Sequence, residues 1–148
     1  MTYSPNFRGD AAKGSSRQLQ TNYVNGTLST ILKGVPVSLD SASQLALVDV
    51  TSAVSVGALV GMTSEDIAAS ASGGVMDAGR VSNVTTSFAV RDVLYIDKTG
   101  ALTNIKPEPG VNGFLHGDYA VLVGVVVQNE FDSMQKDIKL TLSVTGQL

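Results

Sequence analysis

The chain offers few side chains that could carry out chemistry. His116 is its single histidine, cysteine is absent, and glutamate occurs three times among 148 residues. A lone imidazole beside Gly117 has no second histidine with which to hold a metal and no nucleophile–carboxylate pair in view, so it reads as a solvated loop residue. Asp40 and Asp97 occupy equivalent turn positions, where a short carboxylate bonds nearby backbone N–H groups. Turn capping accounts for them better than a catalytic pair or a metal site. Glu108 and Glu130 fall in expected loops without charge partners. Gly73-Gly74 is followed by Val-Met-Asp and lacks the lysine of a phosphate-binding loop. Asn25-Gly-Thr27 and Asn83-Val-Thr85 match the glycosylation sequon, which carries little weight without a secretory signal. These residues predict no catalytic, cofactor-binding or metal-binding site, and no enzyme.

Residues suited to binding a partner lie at the other end of the chain. Residues 1–30 hold nine hydrophobic side chains, show no sustained period of 2 or 3.6, and are rich in Ser, Asn, Gln and Gly. Within them Tyr3, Phe7, Arg8, Arg17, Leu19 and Tyr23 are spaced like anchors, and aromatic residues and arginine are enriched in interface hot spots. The segment carries a net charge of +2 and the other 118 residues carry −5. It reads as an extended arm that gains order against a partner.

The elements beyond it must form a rigid body. Val, Ile and Thr together supply 37 residues, and charged residues make up only 16%. Branched Cβ atoms lose rotamer freedom in a helix but pack well on a pleated surface. Val35–Leu39, Leu45–Val50, Ala58–Val60, Val75–Val84 and Phe88–Ile96 read as strands, with a bulge or bend at Gly79. Asp97-Lys-Thr-Gly100 has the chemistry of a tight hairpin. Tyr119–Val127 is apolar on both faces, as a buried central strand is. Lys136–Val144 alternates Ile138, Leu140, Leu142 and Val144 inward. Thr63–Ser70, with a hydroxyl cap and acidic residues in its first turn, predicts a short helical connector.

The strands repeat. Val35–Asp40 aligns with Asp92–Asp97 at an offset of 57, which also carries Leu45 to Leu102 and Val48 to Ile105. After six extra residues in the 106–118 loop the offset becomes 63, matching Leu59-Val-Gly61 to Leu122-Val-Gly124, Val75 to Ile138 and Val81 to Val144. Two halves of about 50 residues each lack a full core and must close on one another. The expectation is an all-β fold, a small β-barrel or sandwich of two pseudo-repeated halves at about 34–81 and 91–144. An extended arm over 1–30 precedes this single domain of 31–148, with at most one or two short helical connectors.

Several functions are disfavoured. The longest apolar run is nine residues, against the roughly 20 that span a bilayer as a helix, so no membrane partner is expected. The first residues contain no apolar run typical of a secretory signal. Net charge −3 argues against nucleic acid as a partner.

The phrases Lys33-Gly-Val-Pro-Val-Ser-Leu-Asp40, Arg91–Thr103 and Tyr119–Val127, following the arm, resemble the capsid decoration, or cement, proteins of tailed bacteriophages. The resemblance covers about residues 27–148. It implies a structural virion protein on the outer surface of the capsid, made in the host cytoplasm. Such a protein binds the major capsid protein, clamps neighbouring capsomers as a homotrimer, and uses no cofactor. Other readings are a head-fibre base, a tail-associated β-domain, or a receptor- or carbohydrate-binding module. The last is disfavoured because the chain has no tryptophan for sugar stacking, and two of its four tyrosines lie in the arm.

Overall fold

A computed structural model describes residues 20–148. The β-branched runs form ten strands: β1 (Gln20–Val24), β2 (Pro36–Leu39), β3 (Leu45–Leu47), β4 (Leu59–Thr63), β5 (Ser72–Met76), β6 (Arg80–Val81), β7 (Val93–Ile96), β8 (Leu102–Thr103), β9 (Tyr119–Gln128) and β10 (Lys136–Gln147). One short helix, α1 (Ala53–Gly57), lies between β3 and β4. The strands make two antiparallel sheets, ordered β1-β5-β4-β2-β3 and β6-β10-β9-β7-β8. The second order is the first advanced by five, so each half follows one plan. The fold is all-β, and neither sheet closes into a barrel.

The register repeats as well as the order. The Leu39–Leu45 rung recurs at Ile96–Leu102, and Thr63–Val75 recurs at Val126–Ile138. Pairing of β2 with β4 slips between Val37 and Ser38, and pairing of β7 with β9 slips at the counterparts, Leu94 and Tyr95. Identical bulges at identical places show that the offsets of 57 and 63 describe backbone geometry. The boundaries differ from those read in the sequence. Val81 does not close the first half opposite Val144; it lies in β6 and pairs with Ile138, opening the second half. Its counterpart in the first half is β1, so Gln20–Val24 belongs to a sheet and pairs along its length with β5.

The shared core forms between the sheets. Met62 and Met76 from the first pack with Val81, Leu94, Ile96, Val123, Ile138 and Leu140 from the second. A separate cluster of Ile31, Val37, Leu45, Ile67 and Val75, with Tyr23 against it, belongs to the first half alone. The halves are therefore equivalent in pairing but not in burial. In the row Pro36–Met62–Met76 both methionines enter the shared core, whereas the counterpart Val93–Val125–Lys139 runs along the outside, with Val93 43% exposed. A lysine on this outer row keeps the face wet.

Two local expectations are corrected. Thr63–Ser70 is not helical: Ser64 N continues the ladder to Gly74 O, Glu65 Oε2 accepts from Gly74 N, and Ile67 is buried. Its polar side chains satisfy strand backbone rather than a helix start. The helix forms instead at Ala53–Gly57, where the Ser52 hydroxyl accepts from Ser55 N. Val144 is 44% exposed, because register shifts after Leu140 and Val144 break the inward alternation.

The six-residue expansion at 106–118 contributes Phe114, 2% exposed, to the shared core. Asp118 Oδ2 anchors this loop, accepting from Lys98 Nζ at 2.6 Å and from Leu115 N at 2.9 Å. The Lys98 hydrogen bond, then that of Leu115, lowers the Asp118 pKa below its ordinary 3.8. A carboxyl lowered on folding stabilises the fold above its unfolded pKa, and that contribution is lost as pH falls through the folded value. Stability should therefore fall below about pH 4. Urea unfolding from pH 2 to 7 should show Asp118→Asn to be less stable at neutral pH, with a flatter acid limb. An unchanged limb would remove Asp118 from this role.

Candidate interaction surface

The sequence-stated anchors divide at residue 20. Tyr3, Phe7, Arg8, Arg17 and Leu19 lie outside the described residues. Tyr23 lies in β1, partly buried against the first-half core. It is an anchor of the sheet rather than of a free arm.

The turn carboxylates are occupied by backbone. Asp40 Oδ1 accepts from Ala42 N and Gln44 N, and Asp97 Oδ1 from Thr99 N and Ala101 N. His116 sits on an exposed loop. Among the described residues no three His, Asp or Glu side chains converge as a metal site.

Two features missed by sequence reasoning shape the surface. The first is Asn25, only 1% exposed. Its Nδ2 donates to Ser29 O at 2.9 Å and Ile67 O at 2.8 Å, and its Oδ1 accepts from Thr27 N at 2.8 Å and Thr27 Oγ1 at 2.7 Å. Beside it Gly26 N donates to Leu45 O, and Asn25 bridges Leu45 in parallel, drawing the two edges of the first sheet together. The amide that heads the first sequon is thus committed to the fold. In the second half the segment after β6 reads Val84-Thr-Thr86, without this asparagine, and no bridge joins it to β8.

A cleft of about 550 Å³ opens where that bridge is missing. Val84–Thr86, Phe88 and Thr99–Leu102 form one wall, and Thr27, Ser29–Pro36 and Leu47 form the other. Leu32 and Leu47, 61% and 48% exposed, sit on its rim, and Leu28 beside it is fully exposed.

The second feature is the β9–β10 hairpin tip. Phe131 and Met134 are 93% and 84% exposed there. The tip is nonetheless held firmly. Asn129 Oδ1 accepts from Phe131 N and Asp132 N, and Asp132 Oδ1 accepts from Met134 N. Asn129 Nδ2 donates to the buried carboxylate of Asp137, which also accepts from Asn83 N and from Arg80. The sequence signal was present, since Phe131 and Met134 interrupt an otherwise polar loop, but periodicity does not report on single turn residues.

No protein family, curated protein or solved structure matches this chain.

Proposed function

We propose that the protein is a structural component of a tailed-phage virion that binds the outside of the head and cements neighbouring capsomers. The observation that carries this reading is the β9–β10 tip, where an almost fully exposed Phe131 and Met134 ride on a hydrogen-bonded turn rooted in a buried carboxylate. Apolar side chains carried on a hydrogen-bonded turn require little backbone ordering on contact, which is what a clamp surface needs. The duplicated sandwich supplies stiffness, and the resemblance in Lys33–Asp40, Arg91–Thr103 and Tyr119–Val127 supplies the partner, the major capsid protein. Self-association as a trimer multiplies weak single contacts.

Full-length protein mixed with emptied, expanded heads of the phage that encodes it should saturate their surface, and light scattering should give a trimer. Phe131→Ser combined with Met134→Ser should lower head occupancy at least about tenfold, as loss of a hot spot does, without moving the thermal midpoint. Removing residues 1–19 should also lower occupancy. That deletion stops short of β1 and leaves Asn25 in place. Heads that stay bare, or full occupancy by the double variant, would overturn the reading.

A further inference from the structure

We infer that the cleft between the two halves receives an extended segment of a second copy of this chain, and that the segment is Thr2–Phe7. The internal repeat indicates what fits there. In the first half the equivalent position is filled by the chain's own backbone, where Asn25 and Gly26 bridge Leu45. In the second half Val84–Thr86 and Leu102 face a common cleft without that bridge. What is absent is backbone pairing at the outer edge of β8, and an added strand is the usual way to complete such an edge.

The lining selects among candidate strands. It is apolar and rich in hydroxyls, with Leu32, Leu47, Phe88 and Leu102 among its apolar side chains and Lys33 as its one charge. Residues 1–7 carry no charged side chain and contain two aromatic ones, Tyr3 and Phe7. An aromatic face against Lys33 gains a cation–π contact, whereas a cationic segment would meet repulsion. Pro5 and its effect on Ser4 both favour extended backbone. The cationic residues Arg8, Lys13 and Arg17 follow, on a chain whose remaining 118 residues carry −5, so opposite charge holds the linking stretch to a neighbouring body. The twelve residues 8–19 reach about 40 Å when extended, well beyond the radius of gyration of about 15 Å of a domain this size. The pairing concerns the chain alone and holds with or without a capsid.

The absence of cysteine allows a clean test. Full-length Thr2→Cys carrying a nitroxide label is mixed with unlabelled, isotope-enriched full-length protein, in the absence of heads. The enriched copies should lose amide signal at Leu32, Ala101 and Leu102, and the loss should disappear when they carry Leu47→Asp. Leu47 is about half exposed, so an unchanged amide spectrum of that variant checks its fold. Tyr3→Ser with Phe7→Ser should weaken self-association at least tenfold by sedimentation equilibrium. The inference fails if the broadening is absent, falls on Val93 and Val125, or occurs only when label and isotope share one molecule. Such a failure leaves the head-binding result untouched, because that assay reads occupancy on capsids.

Discussion

Replacing Gly124 by alanine should cost at least about 3 kcal/mol of stability, and Gly61→Ala should do comparable harm in the other half. Both glycines stand in a Leu-Val-Gly phrase, 63 residues apart. At each, a Cβ would fall closer than 3.0 Å to a carbonyl oxygen of the adjacent strand, Met76 O for Gly61 and Lys139 O for Gly124. Met76 and Lys139 are themselves counterparts, so the two clashes are one clash repeated. Because the obstacle is backbone in a hydrogen-bonded ladder, no rotamer change relieves it. Gly61 has the additional demand of φ +148°, which side chains rarely adopt. Gly124 lies in the longer ladder, where β9 and β10 share nine pairs against two for β4 and β5, and should be the more damaging.

Urea unfolding checks this directly. Gly57→Ala is the matched control: it sits at the end of α1 with nothing within 4 Å of the added Cβ. It should raise stability by about 0.5–1 kcal/mol through the ordinary helix preference for alanine. If Gly124→Ala unfolds at the same urea concentration as the parent, close strand approach is not what this glycine supplies.

That pair of glycines also shows why the fold was largely legible. Leu-Val-Gly recurs because a steric requirement on one rung must be met twice, and steric requirements leave residue-specific marks. The turns after Leu39 and Ile96 were legible for a similar reason, since Asp40 and Asp97 each bond backbone across a turn that few side chains can serve. Elements without such a requirement were misread or missed. Gln20–Val24 is a sheet edge exposed along most of its length, so its residues need not alternate, and it resembled a leader. The hydroxyl and acidic residues of Thr63–Ser70 resembled a helix start because strand ends need the same hydrogen-bonding groups. The binding surface was the least legible. Tyr3 through Leu19 lie beyond the described residues, while the cleft exists because one pairing present in the first half is missing from the second. A missing partner leaves no letter in the chain.

Asn25→Ala should be the most costly polar substitution in the first half, destabilising by about 3 kcal/mol. The amide uses its full capacity, two donors and two acceptors, inside a site 1% exposed. Alanine leaves Ile67 O and Thr27 N without their side-chain partner, and water has little access to replace it. The loss should be local in origin but global in effect, because Asn25 holds the strand that covers Ile31, Val37, Leu45 and Ile67. Asn25→Asp separates hydrogen bonding from shape. Its carboxylate keeps the bond to Thr27 but turns an acceptor toward the carbonyls of Ser29 and Ile67, so folding favours the protonated acid and raises its pKa. With a raised pKa, the variant should gain stability relative to the parent as pH falls through the folded value, opposite in sign to the Asp118 contribution. Urea midpoints of parent, Ala and Asp variants between pH 4 and 8 test both statements together. A pH-independent gap between parent and Asp variant would mean that Asn25 fills space rather than pinning the two edges of the sheet.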